Sequence, residues 1–193
     1  MSQISGYDLA KQFYVGGECI LEKEIEQIFD DTITQICPNV VVNKTRLRNG
    51  QTDGIFRFLN DDKSLRFWTL QECKRDIGFN SVQTPRAFIQ ALYYLGNYYY
   101  DSVILGKDTF KGIFLDSARF FCYISNTEID PIMSEFEPLF NKYYRVRPSE
   151  VHIIPEVYDW AIEIFKNIKK DVYSLDSKFR FDSFILDLYE NKI

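Results

Sequence analysis

Four places in the chain have an acidic residue followed two positions later by lysine, a pair that can act together on a phosphate ester. A carboxylate binds a divalent metal ion, and an ammonium group stabilises negative charge that develops on phosphate oxygens. Three of the pairs lie in polar turns or tail segments: Asp61 and Lys63, Asp176 and Lys178, and Glu190 and Lys192. The fourth, Glu72-Cys73-Lys74, closes an apolar stretch typical of a β-strand, and we therefore single it out.

Side chains alternate between the two faces of a strand, so Glu72 and Lys74 are expected on one face. Asp53 lies at the start of a second predicted strand over 55–59, and a polar turn joins it to the strand over 65–74. The resulting hairpin brings Asp53 near Glu72, where the two carboxylates repel each other unless a cation lies between them. We therefore predict a Mg²⁺ site, at which Mn²⁺ can substitute, with Lys74 orienting or activating a water molecule.

The spacing of apolar residues predicts the elements that position these side chains. In chain order they are a helix over 18–36, a strand over 40–47, the hairpin, a helix over 84–100 that Thr84 caps and Pro85 begins, a short strand over 102–105, and strands over 111–115 and 118–125. We expect an α/β fold with the order helix, three-stranded antiparallel sheet, helix and further strand.

The character of the chain changes after residue 126, where prolines punctuate the sequence. Amphipathic spacing predicts helices over 156–170 and 179–193. We therefore divide the chain into a domain over 1–147 and a C-terminal helical extension or connector over 148–193.

The order of helix, Asp-Gly, Glu-x-Lys and helix resembles the PD-(D/E)xK nuclease superfamily over residues 18–125. The resemblance implies a restriction-endonuclease-like core that hydrolyses a phosphodiester bond of DNA. It also implies that Asp53, Glu72 and the backbone carbonyl of Cys73 bind Mg²⁺, and that Lys74 assists the attacking water. Thr52 stands where a proline can precede the aspartate in that family.

The first helix extends the resemblance, since Leu21-Glu22 followed by Ile25 and Ile28-Phe29 is similar to a pattern of restriction endonucleases. This similarity singles out Glu22 among the acids of the helix, which are Glu18, Glu22, Glu24 and Glu26. Glu22 is implied to support a metal ion or its water.

The second predicted helix contains Gln90 and Tyr94, similar to the Gln-x-x-x-Tyr motif of the RecB-like branch of the family. Their spacing places both on one helical face, and Arg86 lies one turn earlier on the same stripe. The resemblance implies that Gln90 supports the lysine, and that Arg86, Gln90 and Tyr94 contact a DNA phosphate.

Each of these features also has a purely structural interpretation. Glu72 and Lys74 can belong to a solvated strand face, Asp53-Gly54 is a common turn dipeptide, and Tyr94 can be a core residue. Two basic segments invite a nucleic-acid interpretation as well as a solvated one: 43–48, and 142–147 with its two tyrosines. The order of the features along the chain favours the nuclease hypothesis.

Composition limits the classes of function. The single histidine, His152, excludes His-ligated zinc hydrolases and Ser-His-Asp hydrolysis. The four cysteines form no metal-binding spacing, and no apolar leader or membrane-length apolar run is visible, which predicts a cytoplasmic protein without membrane contact. A net charge of −5 disfavours unaided DNA binding, because phosphate neutralisation needs basic residues.

The whole therefore resembles the N-terminal endonuclease domain of a bifunctional type IIG restriction enzyme and adenine methyltransferase. On this hypothesis the methyltransferase and DNA-recognition domains are on the same longer chain, and a transient dimer on DNA cuts both strands. The alternatives are a non-catalytic interaction module with a nuclease-like fold, and a nuclease that acts on single-stranded DNA or RNA.

Overall fold

The computed structural model describes residues 3–43, 46–47, 50–51, 53–101 and 105–193. The helices are α1 (Gly6–Gln12), α2 (Glu22–Ile36), α3 (Gln83–Tyr99), α4 (Asn126–Lys142), α5 (Pro155–Asn167) and α6 (Phe181–Tyr189). The strands are β1 (Tyr14–Val15), β2 (Glu18–Cys19), β3 (Val40–Asn43), β4 (Arg46–Leu47), β5 (Gly50–Gln51), β6 (Gly54–Leu59), β7 (Leu65–Cys73), β8 (Phe110–Asp116), β9 (Phe120–Ser125) and β10 (Asp171–Ser174). Short 3₁₀ helices cover Lys107–Thr109 and Pro148–Ile153. The predicted mixed α/β fold is confirmed.

A six-stranded sheet in the order β10-β9-β8-β7-β6-β3 forms the centre of the fold. Strands β3, β6 and β7 make an antiparallel meander, whereas β8 lies parallel to β7. A parallel pair needs a long crossover connection, and the segment containing α3 provides it. The chain therefore runs through helix, three antiparallel strands, helix and strand in the predicted order.

The sheet is covered on both sides, and residues of β7 alternate between the two hydrophobic clusters. Phe67 and Cys73 pack with α1, α2 and α6 on one side, which we call the α2 face. Trp68 and Leu70 pack with α3, α4 and α5 on the other side, which we call the α3 face. This alternation presents the last residues of β7 to two different environments.

The first long helix is shorter than the sequence predicts. It begins at Glu22, and Glu18 belongs to β2, which pairs with β1 in a hairpin. Gly16 and Gly17 between these strands have φ angles of 61° and 85°, a backbone conformation that side-chain-bearing residues rarely adopt. The apolar spacing extended the predicted helix back to residue 18. Residues 18 and 19 instead form a strand, because the Gly16-Gly17 turn folds this segment into a hairpin.

The second long helix begins close to the predicted position, but Thr84 does not cap it. Val82 is the N-cap residue and makes no side-chain hydrogen bond there. Thr84 is buried inside the first turn, where its hydroxyl donates to the backbone carbonyl of Gly78 at 3.3 Å. The predicted capping role of Thr84 is therefore wrong.

Helix α4 was not predicted, because Pro131 and Pro138 lie inside it. A proline removes one helical hydrogen bond and normally interrupts a helix. Here burial of one apolar stripe outweighs that cost, and the stripe consists of Ile129, Met133, Phe136 and Phe140.

The C-terminal segment 148–193 contains the two predicted helices, α5 and α6, and also a strand that the sequence did not reveal. Strand β10 pairs antiparallel with β9 and forms one edge of the sheet. Tyr173 of this strand stacks on Phe179 with ring centroids 3.9 Å apart. The extension is thus joined to the central sheet.

Some predicted features fall outside the described residues. These are most of the strand predicted over 102–105, Thr52, and parts of the basic segment 43–48. The strand predicted over 40–47 is observed as β3, which ends at Asn43. Among the helices of the described ranges, none combines the length and apolar character needed to cross a membrane.

Candidate active site

The predicted acidic residues meet at the edge of the sheet where β7 ends and β6 begins. Gly54 is the register partner of Gln71, which places the preceding residue, Asp53, across from Glu72. Lys74 follows directly after β7. The hairpin therefore brings Asp53, Glu72 and Lys74 together as the sequence predicts.

Lys74 connects the end of the strand to helix α3. Its ammonium group donates to Oε1 of Glu72 at 2.8 Å and to Oε1 of Gln90 at 3.1 Å. Glu72 and Lys74 therefore lie on one face, and Gln90 contacts the lysine directly. Tyr94 is a buried residue of the α3 core, and its side-chain hydrogen bond with Gln90 extends the chain of contacts.

Asp53 lies between two sources of negative charge. Its Oδ2 accepts a hydrogen bond from the backbone N–H of Cys73 at 2.7 Å. Burial raises the pKa of Asp53 well above its usual value, and the charges of Glu72 and Glu26 raise it further. The carboxylates are held close together although they repel one another, as expected for groups that share a cation.

Glu72 is a buried carboxyl group with an incomplete set of partners. Its side chain is only 1% exposed, and its Oε2 has no hydrogen-bond partner among the residues that the structure describes. Burial raises the pKa of Glu72 to about 7, although the charge and hydrogen bond of Lys74 act in the opposite direction. A buried oxygen without a partner is costly and indicates a place for a ligand.

Lys74 keeps its proton in this environment. Burial alone would lower its pKa, but the charge and hydrogen bond of Glu72 outweigh burial and raise the pKa above its usual value. A permanently charged ammonium group does not abstract a proton. Lys74 is therefore suited to orienting a water molecule and stabilising negative charge.

Helix α2 adds a second acidic residue to the predicted Glu22. Oxygen atoms of Glu22, Glu26 and Asp53 all lie within 4.8 Å of one another. Glu26 was not singled out from the sequence, although it follows Glu22 by four residues and so shares its helical face. Of the other acids considered, Glu18 lies in β2, and Glu24 accepts from the backbone N–H of Leu21 at 2.8 Å.

Arg75 fixes the start of α2 against the end of β7. Its guanidinium group donates to the backbone carbonyls of Ile20 at 2.9 Å and Cys19 at 2.5 Å. Its backbone hydrogen bond with Glu22 lowers the pKa of that carboxyl, while burial, the larger influence, raises it. The helix therefore presents its first residue to the same edge of the sheet.

These donors fit a hard divalent cation. Among the described residues, the oxygens close enough to share one ion belong to Glu22, Glu26 and Asp53, and Glu72 adjoins this group without being part of it. All four supply carboxylate oxygens, which Mg²⁺ prefers. Oε2 of Glu72 has no hydrogen-bond partner among the described residues, which independently indicates that a further group interacts with it. The predicted participation of the Cys73 carbonyl stays a prediction, since the observed bond to Asp53 uses the N–H of that residue.

Arg86 lies one helical turn before Gln90 and is partly buried. Its Nε is buried and has no hydrogen-bond partner within the described ranges. The tyrosines and lysine of segment 142–147 are different, because Lys142 and Tyr143 both donate to Glu156, at 2.7 and 2.6 Å. Lys142 and Tyr143 are therefore engaged within the protein.

The arrangement joins a cluster of carboxylates to one protonated lysine at the open end of a mixed sheet. No family profile, curated protein or solved structure matches this chain.

Proposed function

We propose that this chain contains the catalytic core of a metal-dependent DNA endonuclease of the PD-(D/E)xK type. The observation that carries the proposal is the contact of Lys74 with both Glu72 and Gln90, with Asp53 across the hairpin. Three separate segments of the chain supply these residues. A solvated strand face would not require such a convergence, and it would not leave Glu72 buried.

The topology supports the same proposal. A restriction-endonuclease-like core is expected to run from a helix through an antiparallel meander and a second helix to a further strand. Helix α2, strands β3, β6 and β7, helix α3 and strand β8 follow this order, with β8 parallel to β7.

The side chains divide the chemistry of phosphodiester hydrolysis among them. Mg²⁺ or Mn²⁺, held by Asp53 and Glu72 with support from Glu22 and Glu26, would supply an activated water and a Lewis acid for the phosphate. Lys74 stabilises charge on the phosphate oxygens and orients the attacking water. Gln90 fixes the position of the Lys74 ammonium group through the 3.1 Å hydrogen bond.

Recognition of DNA involves the α3 side of this edge. Arg86 is partly exposed on α3, and a guanidinium group is suited to a backbone phosphate. The net charge of −5 supports a cutting unit that receives most of its DNA affinity from elsewhere. We therefore include in the proposal a restriction-modification enzyme with methyltransferase and recognition domains on a longer chain, and a transient dimer on DNA.

The proposal is tested by nicking of supercoiled plasmid at high protein concentration with Mg²⁺ or Mn²⁺. Asp53→Asn and Lys74→Ala are expected to abolish nicking, because each removes one of the converging groups. The matched controls are Glu190→Gln and Lys192→Ala, which alter an exposed pair of the same sequence type and should leave nicking unchanged.

Competition by single-stranded DNA and by RNA in the same assay identifies the preferred nucleic acid. Effective competition by either would assign the activity to that substrate in place of duplex DNA. Failure of the wild-type chain to bind metal by calorimetry, or full activity of Asp53→Asn, would refute the catalytic proposal.

A further inference from the structure

A second polar pair lies directly beneath the candidate active site, on the α2 face of the sheet. Gln71 of β7 and Asp116 at the end of β8 are 0% and 1% exposed. Nε2 of Gln71 donates to Oδ2 of Asp116 at 2.7 Å. Neither residue carries a motif. They adjoin the apolar and aromatic cluster of this face, and the buried acids Glu26 and Asp30 of α2 act on Asp116 electrostatically.

Asp116 touches the end of β7 with both its backbone and its side chain. Its backbone carbonyl accepts from the N–H of Lys74 at 2.9 Å. It is the register partner of Cys73, whose own N–H holds Asp53 at 2.7 Å. Movement of Asp116 would therefore shift both Lys74 and the bond that orients Asp53.

Gln71 extends the same connection to β6. It is the register partner of Gly54, the residue next to Asp53. A Cβ atom built on Gly54 would lie 3.0 Å from Oε1 of Gln71, so the glutamine side chain lies tightly against this backbone. The pair thus touches the strand that follows Asp53 and the residue that follows Glu72.

We propose that Gln71 and Asp116 are positioning residues. They set the position of Asp53 relative to Glu72 and Lys74 on the neighbouring strand. The inference rests on the proposed function, since it concerns the same site. Neither residue contacts the substrate on this proposal, because both are enclosed on the opposite face of the sheet.

Stability alone does not account for the pair. In the described part of the chain, Oε1 of Gln71 and Oδ1 of Asp116 are buried without hydrogen-bond partners, which is unfavourable. Replacement of both members of such a pair by apolar groups of similar shape is often neutral or stabilising. A polar pair at this place is therefore explained by the alignment it provides.

The test compares Asp116→Ala with Asp116→Asn, whose amide oxygen can still accept from Gln71. Asp116→Ala is expected to lower kcat for plasmid nicking by about 10–100-fold, the usual effect of losing an outer support of a metal site, with KM for DNA unchanged. Mn²⁺ affinity, measured by calorimetry without DNA, should fall by a similar factor. Asp116→Asn should restore both quantities.

Gln71→Met removes the same hydrogen bond while keeping an apolar side chain of similar length, so it replaces Asp116→Ala if that variant fails to fold. Two controls separate positioning from loss of stability. Thr69→Val changes another buried side chain without a hydroxyl partner, two residues earlier in β7. Leu188→Ala opens the same hydrophobic cluster from α6. Both controls should keep wild-type kcat and Mn²⁺ affinity, although Leu188→Ala lowers the melting temperature.

The inference is overturned if Asp116→Ala and Gln71→Met keep wild-type kcat and Mn²⁺ affinity, or if Leu188→Ala loses them equally. Equal losses in Asp116→Asn and Asp116→Ala would also overturn it. Full activity of Asp53→Asn refutes the proposed function instead, which distinguishes the two failures. If nicking is undetectable, the Mn²⁺ affinities of the same variants decide the inference.

Discussion

Glu72 and Gln71 are neighbours in one strand, yet they face opposite sides of the sheet and behave differently. On the α3 face, Glu72 bonds a lysine whose side chain is 22% exposed, so solvent reaches the pair. On the α2 face, Gln71 and Asp116 bond each other out of contact with solvent. Alternation along a single strand therefore separates a buried carboxyl group paired with a partly exposed lysine from an enclosed polar pair.

The difference shows what each environment does to a carboxyl group. Lys74 partly offsets burial for Glu72, and the pKa of Glu72 rises to about 7. Asp116 has hydrogen bonds from Gln71 and Cys73 to offset burial, and its pKa rises to about 8. Burial therefore raises the pKa of both carboxyl groups, and their partners differ: an ammonium group for Glu72, and an amide and a thiol for Asp116.

The largest expected effect concerns the pH dependence of stability on the enclosed face. Burial raises the pKa of Asp116 from 3.8 to about 8, so between these values the folded chain holds a proton that the unfolded chain has released. The free energy of unfolding should therefore fall as pH rises through this range, by up to about 1.4 kcal/mol per pH unit from this group.

Urea unfolding at several pH values in the presence of EDTA measures this dependence. Asp116→Asn should show a shallower slope than the wild type, while Glu190→Gln, an exposed control, should match the wild type. Identical slopes for Asp116→Asn and the wild type would mean that Asp116 ionises normally and that the two faces do not differ as described.

Removal of the positive charge of Lys74 from the α3 face is expected to have the next largest effect. Lys74→Met should lower the rate of plasmid nicking by about 10²–10³-fold, the usual cost of losing one donor to developing charge. Lys170→Met is the matched control, because Lys170 is also partly buried but donates to backbone carbonyls of Phe165 and Ile168. Comparable losses of nicking rate in both variants would show that Lys74 has no special role in cleavage.

Steric crowding against Gln71 on the α2 face should have a moderate effect. Gly54→Ala places a methyl group about 3.0 Å from Oε1 of Gln71, and overpacking of this kind costs about 1–3 kcal/mol of unfolding free energy. Gly78→Ala is the control, since a Cβ there meets no atom within 4 Å. Denaturant unfolding that finds both substitutions equally tolerated would contradict the close approach of Gln71 to Gly54.

The smallest expected effect concerns DNA affinity. Arg86→Gln should weaken binding and reduce the slope of log affinity against log salt concentration by about 1, as expected for the loss of one phosphate contact. Arg180→Gln is the control, because Arg180 already pairs with Asp182 at 2.7 Å. An unchanged slope in Arg86→Gln, measured by fluorescence anisotropy, would move the DNA contact away from α3.

Local patterns in the sequence predicted which residues lie close together at the centre of the candidate site. The period of a strand put Glu72 and Lys74 on one face, and a polar turn predicted the hairpin that brings Asp53 across. Each of these conclusions depends on residues a few positions apart or on one short turn. Such relations are set by backbone geometry and survive in the folded chain.

Relations between distant segments were not visible in the sequence. Helix α4 forms despite Pro131 and Pro138 because its apolar stripe is buried against the rest of the protein. Strand β10 forms because it pairs with the edge of β9. Thr84 does not cap α3 as predicted, because it is buried within the first turn. In each case packing between elements outweighed a local preference of about 1–3 kcal/mol.

The sequence by itself determined which carboxylates and which lysine of the meander meet at one edge, because strand alternation and a short turn decide that locally. Only the tertiary structure decided that Glu26 joins Glu22 and Asp53, and that Asp116 supports Lys74 from the opposite face. The physical reason is that a parallel pair such as β7 and β8 is aligned by a long crossover and by packing on both faces of the sheet. No short-range pattern in the chain encodes that alignment.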